Sequence, residues 1–157
     1  MVERALDRLA SSALASDGFE GVDPSAVKTA LGSVSDLASP SYCAFMKRAG
    51  ANPGDFLRGS DLCVTDLREL QEVGAEVREA EPETFATRGS TILIFVAHQG
   101  YQFLFVDETG DRAPVYRYLE GEGLSRVANS FAEWLAASVD DEIRIAAEVS
   151  TPSHPAQ

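Results

Sequence analysis

The segment TILIFVAHQGYQFLFVD, residues 91–107, constrains the fold more than any other part of the chain. Two runs rich in β-branched and aromatic residues flank a turn at His98-Gln99-Gly100, the pattern of a β-hairpin. The first run is apolar on both faces, which predicts a central strand buried on both sides. In the second, Tyr101, Phe103 and Phe105 share one face. Glu108-Thr109-Gly110-Asp111 makes a further turn, and RAPVYRYL then reads as a third strand, with Val115, Tyr118 and Leu119 directed to the core. Pro114 lacks a backbone donor and favours an edge position there. Three strands joined by short turns predict an antiparallel meander.

Helical patterns surround this sheet. VERALDRLASSAL places Leu6, Leu9, Ala13 and Leu14 at helical spacing, and Asp17-Gly18 and Gly21 interrupt it. Asp23 and Pro24 open a second helix with Val27, Ala30 and Leu31 on its apolar side. In SPSYCAFMKRAG, Ser39 is the cap, Pro40 the first residue, and Tyr42, Phe45, Met46 and Ala49 the buried stripe. Gly50 is placed to end that helix in a left-handed conformation. After the Asn52-Pro53-Gly54 turn, DFLRGSDLCV reads as one or two short strands interrupted by Gly59. Asp66 and Glu69 have capping-box spacing for a helix to about Glu79, with Leu67, Leu70, Gly74 and Val77 on one face. Glu81-Pro82-Glu83 breaks the pattern. Ser130 and Glu133 form a second capping box, for a last helix burying Phe131, Trp134 and Leu135. The tail VSTPSHPAQ carries no periodicity. The expected fold class is α+β: N-terminal helices, a central antiparallel meander and a closing C-terminal helix.

The 157 residues suit one domain, and 24% charged beside 45% hydrophobic residues argues against global disorder. The net charge is −12, with twelve acids against eight bases in residues 1–78 and thirteen against five in 79–157. Such a surface repels phosphate backbones and anionic lipid, which argues against direct nucleic-acid or membrane-surface binding and favours a basic partner. No apolar run approaches the ~20 residues of a membrane span, and the N-terminus lacks the features of a signal peptide. The expected location is the cytoplasm, with Cys43 and Cys63 reduced.

Signatures of catalysis are missing. There is no phosphate-binding GxxxxGK[ST] loop, no GxSxG elbow, no HExxH and no calcium loop. Gly121 and Gly123 give a lone GxG without a third glycine. His98 at a hairpin turn reads as a packed or exposed turn residue rather than half of a nucleophilic dyad, and the two cysteines read as small buried hydrophobes. The expectation is a protein without catalytic residues, metal or cofactor.

One surface feature stands apart. Glu69, Glu72, Glu76 and Glu79 recur at spacings of three, four and three, on the helix side opposite Leu67, Leu70 and Val77. Glu72 and Glu76 repel each other by a few tenths of a kcal/mol, and only Arg68 and Arg78 are near enough in sequence to offset this. The stripe reads either as a solvated face or as a docking surface for a basic partner. Asp107, Glu108 and Asp111, and the Asp140-Asp141-Glu142 cluster, admit the same two readings. Tyr101, Tyr116 and Tyr118 read as interface anchors or packing residues.

The order of these motifs resembles that of the SUKH superfamily. SPSYCAFMKRAG is similar to its proline-tyrosine-phenylalanine helix, with the short helix Ala26–Leu31 ahead of it. DFLRGSDLCVTDLREL resembles the strand-then-helix connection, and TILIFVAHQGYQFLFVD the central hairpin with Gly100 at the turn and Asp107 at the strand end. APVYRYL and SFAEWL resemble the next strand and the final helix. The resemblance divides the chain into an additional N-terminal helix (1–22), a SUKH-like domain (24–139) and an acidic extension with a flexible tail (140–157). It implies a non-enzymatic α+β domain. Bacterial members are largely immunity proteins that neutralise toxins of competing cells, many of them nucleases; fungal relatives regulate cell-wall synthesis. The resulting expectation is a bacterial immunity protein that binds a cognate, basic toxin through Glu69, Glu72, Glu76, Glu79, Tyr101, Asp107 and Glu108. The alternative is a regulatory or scaffold module with an endogenous partner.

Overall fold

Helix α1, Val2–Ala10, begins the chain in the computed structural model, which describes residues 1–15 and 18–151. It buries Val2, Ala5, Leu6 and Leu9. The expected continuation through Leu14 does not form: Ser12 Oγ donates to the Leu9 carbonyl and accepts from Leu14 N–H, and Ala13–Ala15 make a 3₁₀ turn. A serine hydroxyl competing for helix backbone groups is the physical reason. Asp17 and residues 152–157, including His154 and most of the tail VSTPSHPAQ, lie outside the described residues, while Val149 and Ser150 at the start of that tail belong to the last helix.

Helix α2, Pro24–Leu31, starts as its sequence predicts, the Asp23 carboxylate accepting from Ser25 N–H at 2.9 Å. A 3₁₀ stretch, Gly32–Leu37, leads to α3, Pro40–Ala49, capped by Ser39 Oγ accepting from Tyr42 N–H. Gly50 departs from expectation: its φ is −70°, ordinary helical geometry. Space decides the residue here, since a Cβ would lie 2.6 Å from the Met46 carbonyl oxygen and 2.8 Å from a Val22 methyl.

Residues 55–64 form no strand, correcting the expectation from DFLRGSDLCV. Successive turns close through Phe56 N–H to Pro53 O, Arg58 N–H to Asp55 O and Ser60 N–H to Leu57 O, with Leu57 at φ 51° and Gly59 at φ 88°. The apolar residues of this stretch are nonetheless core: Phe56 and Leu62 are buried. Its single sheet-like contact is an antiparallel bridge from Asp61 to Ala97.

Helix α4, Leu67–Ala80, buries Leu67, Leu70 and Gly74. Asp66 precedes it but does not cap it, because its carboxylate accepts from Cys63 N–H instead. Four strands follow: β1 Leu93–His98, β2 Gln102–Val106, β3 Val115–Leu119 and β4 Gly123–Ala128. They form an antiparallel meander in the order β1-β2-β3-β4. The sheet therefore has one strand more than the sequence pattern predicts. Pro114 lies just before β3, an interior strand, and does not mark an edge. Strand β1 is buried on both faces as expected, yet it is an edge strand and not a central one.

Helix α5, Phe131–Ser150, closes the fold and packs on α1, α3 and β4. It continues through the Asp140-Asp141-Glu142 cluster, so the acidic stretch after residue 139 is helical to Ser150. Ser130 Oγ accepts from Glu133 N–H, while the Glu133 carboxylate accepts from Asn129 N–H. One sheet face meets α3 and α5 through Tyr42, Phe95, Phe131 and Trp134, with ring centroids 4.9–6.2 Å apart. On the other face, Phe103, Phe105 and Tyr118 pack with Phe85 from the loop after α4. Gly74 of α4 approaches so closely that a Cβ there would lie 2.3 Å from Ile94 Cδ1.

Candidate functional site

Helix α4 lies along the outer side of β1, and its polar face is turned away from the sheet. Leu67, Leu70 and Gly74 point inward, leaving Glu69, Glu72, Glu76 and Glu79 exposed along the opposite side. Among the described residues none of these four carboxylates has a basic side chain within ion-pair distance. Arg78 is not available to them, since its guanidinium donates to the Gly89 carbonyl and lies 6.0 Å from the Phe85 ring centroid. Arg68 is exposed and reaches no carboxylate among the described residues.

Acids elsewhere are treated differently. Glu3 and Asp7 share Arg48, whose guanidinium pKa those partners raise. Asp140 pairs with Arg8, and Asp141 and Glu148 with Arg144. The Asp111 carboxylate accepts from Ser41 N–H at the start of α3. Much of the acidity of the terminal helices is thus locally neutralised, whereas that of α4 is not.

The fold adds carboxylates that sequence spacing does not connect with the stripe. The Asp61–Ala97 bridge draws the 55–64 turns against the end of β1, so Asp61 and Asp66 line a cleft with Glu69, Val73, Ala97 and Gln99. Gln99 holds the hairpin turn at φ 51°. Tyr101, 38% exposed, follows in the same turn with its ring edge-on to His98 at 5.9 Å. No signal along the chain could have placed Asp61 here, because a long-range backbone bridge brings it.

At the other end of α4, Gly89 accepts from Arg78 through its carbonyl and donates its N–H to Asp107. The Asp107 side chain is only 4% exposed and lies 3.8 Å from the Arg88 guanidinium, which in turn sits 4.1 Å over the Tyr116 ring. Asp107 therefore holds the 81–89 loop to β2 and is not part of the exposed acidic surface. Glu108, the next residue, is exposed.

Tyr116 and Tyr118 are packing residues, stacked on Phe105 and on Phe85 and Phe103. Cys43 and Cys63 are half-buried free thiols whose pKa values burial raises, which disfavours the thiolate. His98 Nδ1 lies 3.3 Å from Ser60 Oγ. Among the described residues no group of three or more His, Cys, Asp or Glu side chains is arranged to hold a metal ion, and no helix is long and apolar enough to cross a membrane.

The molecule is thus an α+β domain with helices on both faces of a four-stranded meander and an acidic helix face free of ion pairs among the described residues. Its family follows from the sequence comparison: the chain belongs to the SMI1 / KNR4 family (SUKH-1), whose model matches residues 39–137, from the cap of α3 into α5. Neither a curated protein nor a solved structure matches the chain.

Proposed function

We propose that the protein is a non-catalytic, cytoplasmic immunity protein of bacterial origin that binds and neutralises a cognate toxin. The observation that carries this reading is the α4 face: Glu69, Glu72, Glu76 and Glu79 exposed without ion-pair partners among the described residues, and continued by Asp61 and Asp66 across the cleft. Like charges held along one helix cost a few tenths of a kcal/mol per pair. A basic partner would relieve that cost on docking, and the field of such a face speeds encounter and selects against acidic partners. A nuclease toxin must hold phosphates with basic residues, and an acidic inhibitor can cover them. Tyr101 and Glu108, both exposed, serve as further candidate contacts.

Co-expression with the toxin encoded beside the gene tests the reading. Neutralisation and co-purification are expected. Replacing Glu72 and Glu76 by glutamine should then slow association several-fold and flatten its salt dependence, measured by stopped-flow mixing at several ionic strengths. Absence of neutralisation, with an endogenous protein held through the same face, would make the domain a regulatory or scaffold module instead. Unchanged kinetics in the double variant would leave the stripe a solvated face.

A further inference from the structure

A hydroxyl buried without a hydrogen-bond partner destabilises a fold, and small polar cavities commonly hold a water that supplies the partner. Tyr42 presents this situation. It is 3% exposed, edge-on to Phe131 at a ring-centroid distance of 5.3 Å and tilted against Phe95 at 6.2 Å. Its ring is therefore fixed in the core. Its hydroxyl oxygen is buried and has no hydrogen-bond partner among the described residues. Burial pushes the hydroxyl pKa up, so the group keeps its proton and needs an acceptor.

Tyr42 lines a small cavity where the start of α3, the sheet and the loop between β2 and β3 meet. Leu37, Leu93, Phe95, Val106 and Phe131 wall it with apolar side chains, and every lining residue except Gly110 is buried. The space open to the centre of a water molecule is about 10 Å³, which is room for one. Two further lining residues bring polar groups. Ser39 Oγ accepts from Tyr42 N–H at 3.1 Å and donates to no group among the described residues. Gly110 brings a backbone carbonyl, which accepts from Ala113 N–H at a long 3.3 Å. The Asp111 carboxylate, accepting from Ser41 N–H at 2.8 Å, holds the loop that carries Gly110 to the start of α3.

We propose that this cavity binds a single structural water, which accepts from the Tyr42 hydroxyl and links α3 to the β2–β3 loop through Ser39 and Gly110. With Tyr42 and Ser39 donating to it, the water keeps its own protons for the Gly110 carbonyl, making the about three bonds usual for a buried water. A cavity walled by apolar groups alone would stay dry; the hydroxyl is what makes this one a water site. The inference goes beyond the proposed function and does not depend on it, since no residue of α4 lines the cavity.

Crystal structures of the wild type and Tyr42→Phe at high resolution, with urea denaturation of both, test the proposal. One ordered water is expected within hydrogen-bond distance of the Tyr42 hydroxyl in the wild type, and none in the variant. Removing the hydroxyl then removes a satisfied bond, and the folding constant should fall about fivefold. A dry cavity reverses the sign of that change: the hydroxyl would be buried without a partner, and Tyr42→Phe would fold as well as the wild type or better. The wild-type density decides the matter even where the variant does not fold. A wild-type cavity without an ordered water, a water that makes no bond to Tyr42, or a variant at least as stable as the wild type would each overturn the proposal.

Discussion

The Tyr118 hydroxyl donates to the Glu81 carboxylate at 2.9 Å while its ring stacks between Phe85 and Phe103. Burial first, then the hydrogen bond and the negative charge of Glu81, push its pKa from 10.0 up to about 12. An unfolded chain releases this proton near pH 10, and the folded chain holds it to about 12. The contribution to stability is therefore fully present below pH 10 and is lost as pH rises from 10 to 12. Urea denaturation across that window should show a steeper alkaline loss for the wild type than for Tyr118→Phe. Glycines make the same point by space rather than charge. Gly21 is exposed, yet a Cβ there would lie 1.7 Å from the Lys47 carbonyl oxygen. The sequence marks Gly21 as a break, but the backbone it touches belongs to a chain segment many residues away.

At the level of elements, α4 carries two jobs on two faces, and its sequence shows only one plainly. The glutamate stripe and the opposite apolar stripe are legible from their spacing. Gln71 is not, since a half-buried glutamine on a helix carries no mark of the strand it caps. Gln71→Ala would leave the Ile94 N–H and C=O unpaired beside a buried strand. A loss of about 1–3 kcal/mol is expected, measured by chemical denaturation. Strand β4 went unread for the opposite reason. None of its residues is buried and half are exposed, so no apolar alternation marks it, and Gly121 and Gly123, at φ 81° and 82°, resemble a loop rather than the turn of a hairpin. The turns of residues 55–64 misled in the other direction, because Phe56 and Leu62 are apolar for burial without being extended for pairing.

On the scale of the whole molecule, α1 and α2 lie ahead of the residues matched by the family model and still share its core. Leu6 and Leu9 are fully buried, and α1 packs on both α3 and α5. Leu6→Ala should cost about 2–5 kcal/mol and shift one cooperative unfolding transition, as a core substitution within residues 39–137 would. A separate early transition in calorimetry would instead make α1 an independently melting appendage. What the sequence determined by itself is the part governed by local pattern: helix caps at Asp23, Ser39 and Ser130, the apolar stripes, the β1–β2 hairpin and the acidic face of α4. Each depends on neighbours a few residues apart, where spacing and side-chain type act directly. Only the tertiary structure decided that β1 is an edge sealed by Gln71 and Asp61, that Asp107 turns inward to Gly89 and that Asp61 joins the stripe. Those outcomes depend on hydrogen bonds between residues 18 to 36 positions apart, which no local period encodes.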